Sequence, residues 1–174
     1  MNILDFLVVL TIILSFFDGL RKGAARSLFP LLAMLVAIPL AGILYHILAA
    51  ILSFLPGTNW QNFIGFVITM GITSAILQFM FTLPRMVFKE VWGKGGASSL
   101  VGGVLNILNS AIGWTVFALV VRAYPVFNWL ETAVKDSSVL NWLIITFRFV
   151  ETMLPNEFET GAQVLHGLMA MMGR

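Results

Sequence analysis

Residues 27–84 read SLFPLLAMLVAIPLAGILYHILAAILSFLPGTNWQNFIGFVITMGITSAILQFMFTLP, and no side chain among them carries a formal charge, His46 aside. Soluble domains carry about 25% Asp, Glu, Lys and Arg, because a water-facing surface needs them. A stretch this long without them has lipid as its solvent, since roughly 20 apolar residues already cross a hydrocarbon core about 30 Å thick. It is also too long for one crossing. Pro56-Gly57-Thr58-Asn59-Trp60-Gln61-Asn62 interrupts it with turn formers and amide side chains, which predicts two helices, 27–55 and 61–83. Pro30 suits the first turn of the earlier helix, and the interior Pro39 predicts a kink. Trp60 stands where an interfacial aromatic belongs.

The same pattern extends outward. Upstream, Asp18, Arg21, Lys22 and Arg26 with Gly19 and Gly23 form a compact charged turn. Before it lies a first apolar segment, 6–17, headed by Asp5, whose length suits a short or tilted crossing, with a re-entrant segment as the alternative. No basic n-region precedes it and no small-residue cleavage pattern follows, so it reads as retained rather than as a signal peptide. Downstream, Arg85, Lys89, Glu90 and Lys94 and the run Gly93-Lys94-Gly95-Gly96-Ala97-Ser98-Ser99 predict a flexible connection. It leads to a fourth apolar run, 100–121, that closes at Arg122 with Tyr124 and Trp129 at interface depth. The chain as a whole is 59% hydrophobic and 10% charged. The expected fold is all-α: a polytopic membrane protein of about four transmembrane helices.

From Pro125 the pattern changes. Ser137, Asn141, Arg148, Glu151 and Thr152 recur at roughly helical spacing, with Val139, Leu140, Trp142, Leu143, Phe147, Val150 and Leu154 on the remaining surface. That predicts an amphipathic helix lying on a membrane or a partner. Trp142, Phe147, Arg148 and Glu151 are its candidate contact residues, and Arg148 and Glu151 stand at helix-neighbour spacing. Asn156 with Glu159 three residues later suggests the cap of a last, Met-rich helix. The expected division is a four-helix transmembrane domain, 1–124, and an extracytoplasmic amphipathic tail, 125–174.

Taken in order, these features resemble the colicin V production protein family of bacterial inner-membrane proteins. Phe17-Asp18-Gly19-Leu20-Arg21-Lys22-Gly23 is similar to that family's aromatic-x-Gly-x-x-(Arg/Lys)-Gly turn, with Asp5 upstream and Arg26 entering the second helix. Leu100-Val101-Gly102-Gly103-Val104-Leu105-Asn106 looks like its Gly-rich entry to helix four, and Ser137-Ser138-Val139-Leu140 like its C-terminal region. The resemblance implies a membrane protein needed for production or export of a peptide toxin, or for envelope maintenance.

Within lipid the informative side chains are polar, because unpaired polar groups are costly there. Gly102, Asn106, Asn109 and Gly113 share one face of the fourth helix, with Ser99 and Ser110 beside it. Gly71, Ser74 and Gln78 share a face of the third, which is a candidate complement. Each face reads either as a close helix–helix contact sealed by amide hydrogen bonds or as a polar path. His46 beside Tyr45 is a weaker candidate for a proton-responsive group. Gly93-Lys94-Gly95-Gly96 lacks phosphate-loop spacing. With no Cys and two His the inventory supports no thiol chemistry, no metal cluster and no cofactor. No Ser has a recognisable His–acid partnership. These points predict a non-enzymatic protein that associates with itself or with a membrane-protein partner. The rivals are a small transporter or channel subunit using the Asn106/Asn109 face, and an accessory subunit of a larger complex.

The basic residues cluster beside apolar runs, the habit of lipid-facing proteins, so no nucleic-acid partner is expected. Arg21, Lys22 and Arg26 in the first connection and Arg85, Lys89 and Lys94 in the third suit topology setting or anionic headgroups. Excess Lys and Arg marks cytoplasmic loops, which leaves the N-terminus and tail extracytoplasmic. A membrane-impermeant amine reagent applied to intact spheroplasts is expected to spare Lys22 and Lys94 until the membrane is opened. Labelling of either before lysis would reverse the orientation.

Overall fold

The computed structural model describes residues 2–82, 84 and 96–154. Arg85, Lys89 and Lys94, Glu157 and Glu159, and the expected Met-rich helix lie outside the described residues. Four helices are long and apolar enough to cross a membrane: α1 (Ile3–Lys22), α2 (Ala24–Ile51), α3 (Thr58–Met80) and α4 (Gly96–Ala123). Three short helices follow, α5 (Asn128–Lys135), α6 (Ser138–Thr146) and α7 (Arg148–Met153). Among the described residues there is no strand, and the chain is an all-helical, multi-pass membrane protein.

The charged turn after the first segment is almost entirely helical. α1 continues through Asp18, Gly19, Arg21 and Lys22, and Gly23 alone breaks the chain, at φ 74°. A left-handed φ favours glycine; the Gly23 N–H still closes the last turn of α1 on the Gly19 carbonyl at 2.9 Å, and α2 begins at the next residue. Asp5 in the first turn and Arg21 and Lys22 in the last complement the helix dipole. Because α2 starts at Ala24, Pro30 lies inside it rather than in its first turn, as does Pro39. Gly57, at φ 88°, opens α3. The turn before α3 is sealed by Gln61, whose Nε2 donates to the Leu55 carbonyl at 3.0 Å. Gly96 to Ser99, expected to be flexible, form the first turn of α4.

The four long helices form a row in the order α1, α4, α2, α3. α4 is therefore central, and α3 packs mainly along α2. The expected pairing of the α3 and α4 polar faces does not form, because α2 stands between them. The tail differs from expectation too. Instead of one amphipathic helix, the chain turns at Ser137 and again at Phe147, and α5 to α7 fold back on α1, α4 and α2. The reason is local. Ser137, placed by periodicity on a wet stripe, is fully buried and caps α6, its Oγ accepting from the Leu140 N–H at 3.1 Å. The described tail joins the bundle's core: Val134, Leu140 and Leu143 pack with Leu4, Val8, Ala118 and Val121, and Val150 with Tyr45, Phe66 and Val116.

α1 and α4 cross at their glycines. A Cβ on Gly102 would come within 2.5 Å of the Gly23 carbonyl carbon and 2.6 Å of the Gly19 oxygen. A Cβ on Gly71 would meet nothing within 4 Å. Overpacking an interior contact costs about 1–3 kcal/mol, and here the obstruction is backbone. Gly102→Leu is therefore expected to lower the thermal unfolding midpoint in detergent sharply, whereas Gly71→Leu leaves the monomer's midpoint unchanged. Equal effects would contradict this packing order.

Candidate functional site

Two polar clasps hold the bundle, one at each end of α1. At the basic end, Asn106 donates from Nδ2 to the Ser15 carbonyl at 2.7 Å and to Asp18 Oδ2 at 3.1 Å. Lys22 Nζ lies 2.5 Å from the same Asp18 oxygen. Gly19 makes this possible: a Cβ there would sit 2.7 Å from that of Asn106. Without side chains at 19 and 102, the amide reaches across to α1's backbone. Ser98 Oγ accepts from the Ala24 N–H at 3.3 Å, so one otherwise orphan donor at the start of α2 is satisfied from α4.

At the other end, Asp5 is 1% exposed. Its carboxylate accepts from the Asn2 N–H at 2.9 Å, the Ser137 hydroxyl at 2.5 Å and the Val139 N–H at 3.1 Å. One side chain thus caps two helices, its own and α6. Asn2 adds a bond from Nδ2 to the Ala133 carbonyl at 2.8 Å. Nearby, the Arg122 guanidinium donates to Asn141 Oδ1, while Asn141 Nδ2 donates to the Lys135 carbonyl at 2.9 Å. The hydroxyls of Tyr45 and Tyr124 meet at 2.7 Å in the interior, and the His46 ring stacks 4.0 Å from that of Tyr45.

The residues singled out from sequence fall in different places. Gly102 and Asn106 face α1, whereas Gly113 faces Met34 of α2, a Cβ there lying 3.2 Å from its methyl. Asn109 has a buried Oδ1 with no partner among the described residues. Gly71 and Gln78 are exposed and Ser74 is half-buried, remote from α4. Arg21, Lys22 and Arg26 are exposed around Gly23. Trp142 and Arg148 are exposed, Phe147 packs against the core, and Arg148 and Glu151 form no ion pair with each other. Among the described residues, no group of three or more His, Cys, Asp or Glu is arranged to hold a metal.

Sequence reading missed the Asp5–Ser137 clasp because its partners are 132 residues apart. Its trace is faint: Asn2 and Asp5 have capping-box spacing, and Ser137 precedes an apolar run. Removing the carboxylate strands three donors, the buried Ser137 hydroxyl and two part-buried N–H groups, and leaving a buried donor unsatisfied costs about 1–3 kcal/mol. Asp5→Leu is expected to free the tail, so that limited proteolysis in detergent cuts between α4 and α6 many times faster than in the unaltered chain. Unchanged cleavage would rule out the clasp as the tail's tether.

Residues 4–148 match the family model described as Colicin V production protein. No curated protein and no solved structure matches the chain. The matched span includes Asp5, Asp18, Asn106 and Ser137 and all but the first residue of the four membrane-crossing helices. The chain belongs to the colicin V production protein family, and at the level of that family its role is in toxin production.

Proposed function

We propose that this protein is a non-enzymatic component of the bacterial inner membrane that supports toxin production or export, or envelope maintenance, by associating in the plane of the membrane. In this reading the basic end of the bundle faces the cytoplasm, and the N-terminus and tail face outward, because Arg21, Lys22 and Arg26 gather at one end.

The observation that carries it is the outer face of α3. This helix stands at the edge of the row and packs mainly on α2, through Gly65, Phe66 and Thr69. Helical spacing turns Gly71, Ala75 and Gln78 the other way, and all three are exposed. Among the described residues the side chains of Ser74 and Gln78 make no hydrogen bond. A small-residue track beside an amide is suited to close helix contact in lipid, where such bonds contribute roughly 0.6–2 kcal/mol. A second copy supplies the complement: parallel α3 helices bring Gly71 to Gly71 and Gln78 to Gln78, and an amide both donates and accepts. The polar groups nearer the core are engaged internally, Asp5, Asp18 and Asn106 in the two clasps. The unpartnered Asn109 oxygen is the feature that favours the rival, a polar path along α4.

The chain has no native cysteine to interfere with crosslinking. Gly71→Cys and Gln78→Cys are expected to crosslink between chains in native membranes, whereas Thr69→Cys, buried against α2, does not. Gly71→Leu combined with Gln78→Leu should abolish toxin production with the amount of protein unchanged. Full toxin production by that variant refutes the proposal. Flux in reconstituted vesicles that is lost on Asn106→Leu and Asn109→Leu, with assembly intact, replaces it with the channel reading.

A further inference from the structure

The tail's outer surface carries large apolar side chains that a water-facing surface would not, with Thr146, Arg148 and Thr152 exposed among them. Trp142, Ile145 and Phe149 are 62%, 75% and 42% exposed. All three lie on α6 and α7; α5 exposes Asn128, Thr132 and Lys135 together with Trp129, which is 68% exposed. The buried side of α6 does not rest on the tips of the bundle. Leu140 and Leu143 share a core with Leu4, Val8, Ala111 and Ala118, residues within the membrane-crossing parts of α1 and α4.

The backbone tells the same story. Lipid offers no hydrogen bonds to an irregular chain, so every exposed peptide group there needs a protein partner. Around the α5–α6 turn such partners are present. The Ala133 carbonyl takes Asn2, the Lys135 carbonyl takes Asn141, and the Val139 and Leu140 N–H groups find Asp5 and Ser137. The Pro125 carbonyl, before α5, takes Asn59 at 3.3 Å. The length of α1 adds a constraint. Asp5 and Asp18 stand about 20 Å apart along the helix, less than the hydrocarbon thickness of about 30 Å. With Asp18 and Lys22 at one headgroup layer, Asp5 falls short of the other, and the tail covers it.

We infer that α6 and α7 are embedded in the bilayer leaflet at the Asp5 end, with Trp142, Ile145 and Phe149 against lipid acyl chains near the headgroup boundary. The occupant of this face is lipid because the same end of α1 also leaves Ile3, Phe6 and Leu7 exposed, on a helix apolar enough to cross the membrane. The inference is independent of self-association through α3, at the far edge of the row.

Depth-dependent quenching tests it. Ile145→Cys and, as a water-side control, Arg21→Cys at the exposed basic end carry a bimane fluorophore in vesicles of phosphatidylethanolamine and phosphatidylglycerol. The Ile145→Cys probe is expected to be quenched several-fold more by a lipid nitroxide high on the acyl chain than by aqueous iodide. The Arg21→Cys probe should show the reverse. Iodide quenching both probes alike, or neither medium reaching the Ile145→Cys probe, overturns the inference. The unaltered chain gives a second reading free of folding artefacts: acyl-chain diazirine lipids should tag the peptide containing Trp142 and Ile145. Tagging of α1 and α3 without that peptide overturns it equally.

Discussion

The shortest membrane-crossing helix carries a carboxylate near each end, and lipid tolerates neither unless the protein supplies partners. Much of the architecture follows from meeting that constraint. At the basic end Asp18 is matched by Lys22 and by an amide from α4. At the other end no cation among the described residues is in contact with Asp5. Instead it is held by two backbone N–H groups and one hydroxyl, from three residues that the fold brings from both ends of the described chain. Hydrogen bonds to a charged acceptor are the stronger kind, roughly twice a neutral one, which suits this contact to organise a tail built from three short helices.

The two clasps depend on opposite features of sequence. The basic one needs the absence of side chains at Gly19 and Gly102, so that two backbones approach and Asn106 reaches across. The other needs particular side chains, Asp5 and Ser137, placed on segments that chain connectivity keeps far apart. The central helix α4 takes part in the first clasp through Asn106 and supports the second through Arg122 and the apolar contacts of Val121. This leaves α3 as the helix with a polar face unused by the fold, and leaves α6 and α7 with an apolar one.

Much of this was legible in the residues. Uncharged runs and charged breaks located four crossings to within a few residues, because lipid punishes charge regardless of tertiary detail. The Gly102/Asn106 spacing was legible as one face of α4, and in the structure both residues lie against α1. The partner helix was not legible: Gly71, Ser74 and Gln78 have the same chemistry as the α4 face, and only the row order places α2 between them. The tail misled for a related reason. Periodicity assigns faces within one continuous helix, and Ser137 as a cap reverses the meaning of its polarity, from wet to buried. His46 and the Tyr45–Tyr124 contact illustrate the rest, since nothing local distinguishes a tyrosine that will meet another 79 residues away.

Amide hydrogen exchange of Val139 in lipid nanodiscs tests the central claim most directly. The first N–H groups of a helix have no intrahelical acceptor and exchange freely unless something caps them. The account predicts that Val139 exchanges as slowly as the amides at the α1–α4 crossing, because Asp5 holds it. Exchange at the rate of an unprotected peptide, with α1 and α4 still protected, would show that the tail is not clasped and that the buried carboxylate is held in some other way.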